Sequence, residues 1–171
     1  MAEKDRTKQE ETGATVEVDP EAQRAVVHEF LTGLVGAFGL DGTVETAVGE
    51  DHISAHIMGE QTEALIGHQG AVMQAILELT RTVVQRKTQA GARIRLDVAG
   101  YMERRREALR IYAGRLAERV AEEGGEIMLE PMNAADRKVV HDVIAETEGV
   151  RSFSEGEEPE RSVVIAPDET S

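Results

Sequence analysis

Apolar residues at Ala22, Val26, Val27, Phe30, Leu31, Leu34, Val35 and Phe38 recur at the i, i+3, i+4, i+7 spacing of an amphipathic helix. Asp19 followed by Pro20 reads as an N-cap with proline at the first helical position, and Gly39 ends the run. The pattern then changes from helical to alternating. Val44, Thr46 and Val48, and after them Ile53, Ala55 and Ile57, alternate with polar or small neighbours across the link Gly49-Glu50-Asp51, which predicts an antiparallel hairpin. A short helix is expected over 60–66, then a turn at Gly67-His68-Gln69-Gly70, then a longer helix from Ala71 to about Lys87. Its inner stripe is predicted to be Val72, Ile76, Leu79, Val83 and Val84. Strict alternation puts Ile94, Leu96 and Val98 on one side of a strand and Arg93, Arg95 and Asp97 on the other. The order over 22–99 is α-β-β-α-α-β.

Gly100 marks a join. Residues from Tyr101 to the Gly124-Gly125 stop form one long helix, with Met102, Leu109, Tyr112, Leu116 and Val120 expected inward. A short strand follows in "EIMLEP". Asn133 then caps a helix with Val139, Val140, Val143 and Ile144 as its core stripe, and a hairpin is built from "VRSFS" and "RSVVIA". Residues 100–167 therefore read α-β-α-β-β. The whole is α+β, two small domains, between a disordered acidic tail at 1–21 and a loose end at 168–171.

Net charge is −14, which taken alone argues against a polyanionic partner. The charge is unevenly placed, however. Residues 81–121 hold eleven basic and four acidic side chains, and the acidic excess lies in the flanks. A basic block of this kind fits either a solvated arginine-studded helix or a polyanion-binding face. Cysteine is absent, which removes disulfides, thiol catalysis and cysteine metal sites. No Ser/His/Asp arrangement, phosphate loop ending in Lys-Ser/Thr or HExxH motif is present, so no enzyme, cofactor or small-molecule substrate is expected. His52 and His56 share a strand face with Ser54, but no third metal ligand is near, and a solvent-facing strand is the reading. The apolar runs are too short for a membrane span. With no targeting segment in view, the expected location is cytoplasmic.

The glycine pair at 67 and 70 is the most informative local feature. Glycine permits positive φ and removes the Cβ that keeps a ligand from the backbone. Gly70 also opens a helix, whose first N–H groups and positive end suit a phosphate. Helix, G-x-x-G, helix is the device by which KH domains clamp a nucleic-acid backbone, although a C-cap glycine followed by a turn glycine gives the same letters. Here the motif follows a hairpin and precedes a third strand, and the chain resembles a type II KH domain. The stretch "MNAADRKVVHDVIAETEGVRSFSEGEEPERSVVI" resembles an R-three-H domain, with Arg137 and His141 as the named pair. "LDVAGY", "EPMNAADRKVVH" and "SEGEEPER" make the tandem similar, over about residues 22–167, to the bacterial Jag family, also called KhpB or SpoIIIJ-associated protein.

That resemblance implies a non-catalytic, cytoplasmic protein of single-stranded RNA, acting as an RNA chaperone or post-transcriptional regulator. It also implies a small stand-alone KH protein (KhpA-like) as partner, no membrane insertion, and links to cell-wall synthesis, cell shape and division. The implied RNA-binding residues are Gly67, His68, Gln69, Gly70, Arg137 and His141, with Lys138 and Arg161 as helpers. Family members often carry basic residues between the two glycines. Here they are His68 and Gln69, so attraction to phosphate should weaken near neutral pH and strengthen if His68 is protonated. Many members have a further N-terminal domain, where this chain is expected to have only its acidic tail.

Read without the family, Arg137 and His141 lie at i, i+4 on one side of a helix, on a flank expected to be reachable by solvent. Arginine's planar fork matches phosphate, and a histidine ring can donate or stack. The plain alternative is a helix flank with Arg137 paired to a carboxylate. Phe153 is readable as a base-stacking ring or as core. A protein-interaction adaptor and a single-stranded DNA binder remain as alternatives to RNA.

Overall fold

A computed structural model describes residues 19–168. The expected tail at 1–21 lies outside it but for its last three residues, and the loose end at 168–171 but for Asp168. The chain begins with α1 (Pro20–Ala37), where the Asp19 carboxylate accepts from the Glu21 N–H at 3.0 Å and Pro20 holds the first turn. Strands β1 (Thr43–Val48) and β2 (Ile53–Met58) pair antiparallel, with Val48 opposite Ile53. After α2 (Ala71–Thr88), β3 (Ile94–Val98) pairs with β2 in parallel, giving the order β1-β2-β3. A parallel pair needs a crossover, and α2 supplies it. Ile53, Ala55 and Ile57 join Ile94, Leu96 and Val98 on the buried face, under Val27, Leu31 and Val35 of α1 and Met73, Ile76 and Val84 of α2.

From β3 the chain passes through Ala99 and Gly100 into α3 (Tyr101–Glu123). A second sheet, ordered β4-β6-β5, is built from β4 (Ile127–Met128), β5 (Val150–Glu155) and β6 (Ser162–Pro167), all antiparallel. α3 packs on α4 (Ala134–Ala145), and both rest on this sheet. Leu109, Ala113, Ala117 and Val120 of α3 meet Val140 and Ile144 of α4 and Val163 and Ile165 of β6 in a separate core. The fold is α+β with two small sheets, each with its own apolar interior. No described helix is long and apolar enough to cross a membrane.

Several local expectations change. The short helix expected over 60–66 is a single 3₁₀ turn at Thr62–Leu65, and the G-x-x-G turn forms a second one. The inner stripe of α2 is rotated: Met73, Ile76, Leu77, Thr80 and Val84 are buried, while Val72 and Leu79 are exposed. Apolar residues occupy two faces of this helix, and the sheet beneath decides which is used. In α3, Met102 and Tyr112 are exposed, and the small residues Ala113 and Ala117 take the interface instead. Phe38 is exposed at the end of α1, and Phe153 stands at the surface of β5 with the Arg151 guanidinium 5.4 Å from its ring centre.

Candidate functional site

The turn at 67–70 is built by its backbone. Gly67 (φ +70, ψ −177), Gln69 (φ +50) and Gly70 (φ +83) all take positive φ. At Gly67 that combination is essentially glycine's alone, and a Cβ there would stand 2.9 Å from the Val72 nitrogen. At Gly70 a Cβ would meet the Tyr101 ring at 3.0 Å. The bare backbone is therefore required by close approach within the molecule. The first N–H groups of α2, expected to be free for a phosphate, already have partners. Gly70 donates to Gly67 O at 3.3 Å, Ala71 to His68 O, and Val72 and Met73 to Ile66 O at 3.1 and 3.2 Å. What the turn offers outward is the exposed His68 side chain. Gln69 is half-buried, and its amide donates to the Glu130 carboxylate at 3.2 Å, tying the turn to the segment ahead of α4.

Beneath Gly70, Tyr101 is held by the start of α3. Asp97 at the end of β3 accepts from the N–H groups of Gly100 and Met102 at 2.9 and 3.0 Å, which fixes the first turn of that helix. The Tyr101 hydroxyl is buried and without a hydrogen-bond partner among the described residues, and burial pushes its phenol pKa up. Beside α2, an open cleft of about 870 Å³ runs over the free edge of β3. Gln74, Arg81, Arg95 and Arg106 line it, together with His56. Sequence reasoning placed Arg95 on the outward face of its strand without giving it a role. Arg81 and Arg106 were visible only as members of the basic block.

The second candidate pair is placed differently from expectation. Arg137 is 7% exposed, not on a solvent-facing flank. Its guanidinium donates to the Met132 carbonyl at 2.7 Å and to Glu158 at 2.5 Å. On α4, Arg137, Val140 and Ile144 share one buried face, and a rule that scores arginine as polar misses it. His141 is half-buried, with Nδ1 2.7 Å from Ser152 Oγ and Nε2 2.8 Å from Ser154 Oγ. These serines sit two apart on β5 and share a face, a signal the sequence reading passed over. Burial, then the Arg137 charge, hold the His141 pKa below the usual imidazole value, with Asp142 opposing and Arg161 adding to the shift. Lys138 is exposed and ion-paired to Asp142 at 2.6 Å. Arg161 has a buried Nε with no hydrogen-bond partner among the described residues. The structure thus places Arg137 and Arg161 near His141, with Glu158 and Asp142 as opposing charges, and leaves Lys138 on the surface.

Comparison with known proteins gives a consistent picture. The R-three-H domain family matches residues 107–167. A protein of Streptococcus pneumoniae serotype 2 named RNA-binding protein KhpB is 30% identical over 158 residues, covering 91% of this chain and 48% of that protein. The protein of that name from Clostridium symbiosum is 31% identical over 140 residues, covering 81% and 63%. The one from Bacillus subtilis is 28% identical over 151 residues, covering 87% and 71%. The chain spans about half the length of the streptococcal relative it matches.

Proposed function

The chain belongs to the KhpB (Jag) family, and on that premise we propose that it binds single-stranded RNA without catalysis. In this reading the first sheet with α1 and α2 is a type II KH domain, residues 22–99, and residues 100–167 form the R-three-H domain. The observation that carries it is the open cleft beside α2, where Arg81, Arg95 and Arg106 stand among the lining residues together with Asp97 and Glu103. Arg95 supplies charge to a phosphate backbone, Arg81 and Arg106 join it by exchanging their ion pairs with Glu78 and Glu103 for phosphate, and Gly67, His68, Gln69 and Gly70 form the end of the path. Arg137, His141 and Arg161 form a second contact, with Lys138 at its margin. Because Arg137 already has Glu158, RNA there must compete with that carboxylate. The protein acts in the cytoplasm as an RNA chaperone or post-transcriptional regulator serving cell-wall synthesis, cell shape and division.

A partner protein is part of this reading. Val72 and Leu79, seven apart on α2, are exposed apolar residues, as is Phe38 just past the end of α1, and apolar surface of this kind suits a small stand-alone KH protein. If that contact is the main function, the domains serve as an adaptor. Crosslinking in cells separates the two. Replacing His68 and Gln69 by aspartates should abolish RNA recovery while circular dichroism shows an intact fold. Unchanged recovery would favour the adaptor. In vitro, RNA affinity should fall steeply with added salt.

A further inference from the structure

A second, smaller cleft of about 230 Å³ lies between the 67–70 turn and the C-terminal half. Leu109 of α3 and Leu129 and Met132 of the segment between β4 and α4 line it, all three buried. Tyr112, one turn along α3 from Leu109, is 52% exposed and lines the same cleft. The remaining lining residues are polar: Gln69 and Glu130, joined by their hydrogen bond, and Arg105, whose Nε donates to Asp136 at 3.1 Å. An apolar floor, an exposed aromatic ring and a few convergent polar groups are the composition of a ligand site. It does not suit a phosphate, because the most accessible polar group is a carboxylate.

It does suit a base. Single-stranded RNA is read by splaying bases out, stacking them on aromatic rings and hydrogen-bonding their Watson–Crick edges. On that edge guanine alone presents two adjacent donors, N1–H and the N2 amino group, with the O6 acceptor beside them. A carboxylate accepts both donors side by side. Cytosine and adenine present one amino group next to a ring nitrogen acceptor, which would face the second carboxylate oxygen with like polarity. Uracil presents one donor between two acceptors.

We propose that this cleft is a guanine-reading pocket. Tyr112 stacks on the base, Glu130 accepts from N1–H and N2, and the Gln69 amide or the Arg105 guanidinium donates to O6. The inference rests on the RNA-binding reading above and adds a base preference to it. Gln69 belongs to both parts: its backbone forms the turn and its side chain reaches the pocket. A strand held at the turn would thereby deliver a neighbouring base to Glu130.

The test measures fluorescence anisotropy of the full chain with short labelled oligouridines, plain or carrying a single guanine, adenine or cytosine at each position in turn. One guanine position should tighten binding by about tenfold, as a bidentate base contact does, and adenine or cytosine there should not. In Glu130→Gln the guanine gain should shrink to less than about twofold, and in Tyr112→Ala it should fall while Tyr112→Phe keeps it. Thermal melting checks that each variant is folded. The proposal is overturned if no guanine position tightens binding, if another base gains equally, or if Glu130→Gln keeps the gain. If no oligonucleotide binds at all, the RNA-binding reading fails and this one with it. Binding of plain oligouridine without a guanine gain removes the pocket alone.

Discussion

The turn at 67–70 and the Arg137–His141 pair are both helix-borne candidates for gripping a polyanion, and they are held in opposite ways. The turn is fixed by main chain: positive φ at three positions, N–H groups folded back onto carbonyls 66–68, and a tyrosine pressed against Gly70. Its side chains carry little of that structure, and His68 is left at the surface. The pair on α4 is fixed by side chains: Arg137 between a carbonyl and Glu158, His141 between two serine hydroxyls. The lesson is that a site can be variable in chemistry where its backbone makes the shape, whereas a site whose functional groups are also its fasteners cannot change them freely.

The largest effect should come from the turn's backbone. Gly67→Ala meets both a glycine-only conformation and the Val72 nitrogen, and should cost about 3 kcal/mol or more in urea unfolding. His68→Ala, one residue on, should change stability by less than about 0.5 kcal/mol. Equal costs at the two positions would end the contrast from that side. Next is Arg137→Met, which leaves the Met132 carbonyl without its donor and Glu158 without its partner. It should cost about 2 kcal/mol. A neutral Arg137→Met would mean that the α4 site is not self-fastened. A smaller effect of opposite sign is expected at Tyr101→Phe. Removing a buried hydroxyl that has no partner among the described residues should raise stability by about 1 kcal/mol in thermal melts, while the ring keeps its contact with Gly70.

The smallest effect is one of pH. The depressed pKa of His141 means the native state resists a proton that the unfolded chain accepts. Its contribution is therefore complete above the ordinary imidazole value of about 6.5 and is lost as pH falls below it. Stability measured across that window should slope downward toward acid, and His141→Gln should flatten the slope. An identical slope in the variant would show that the serine cradle does not hold a neutral ring.

Element order was legible throughout because period, caps and turn residues agree with one another. Asp19-Pro20 and Asn133 cap where expected, and the alternation at 94–98 identifies its buried face correctly. What could not be read was helix rotation. Residues 71–84 carry apolar side chains on two faces, so only the sheet beneath selects Met73 and Leu77 over Val72 and Leu79. Ala113 and Ala117 were overlooked because small residues carry weak hydrophobic signal, although close helix packing favours them. The glycine pair was legible as a backbone requirement. That the nearest claimants on the space are Val72 and Tyr101 depends on contacts within α2 and across the join, which a local reading does not see. The burial of Arg137 escaped because its partner, Glu158, lies 21 residues away on another turn.

The passage from β3 to α3 has only two residues, Ala99 and Gly100, both with positive φ, and Asp97 ties the far side of it. A tether this short has almost no slack. A polymer caught on one half thus meets the other at a local concentration fixed by covalent geometry rather than by diffusion. On the proposed RNA-binding reading, two grips joined in this way would bind more tightly than either alone. Lengthening the tether with flexible residues would dilute that advantage and would also part Asp97 from the Gly100 and Met102 N–H groups.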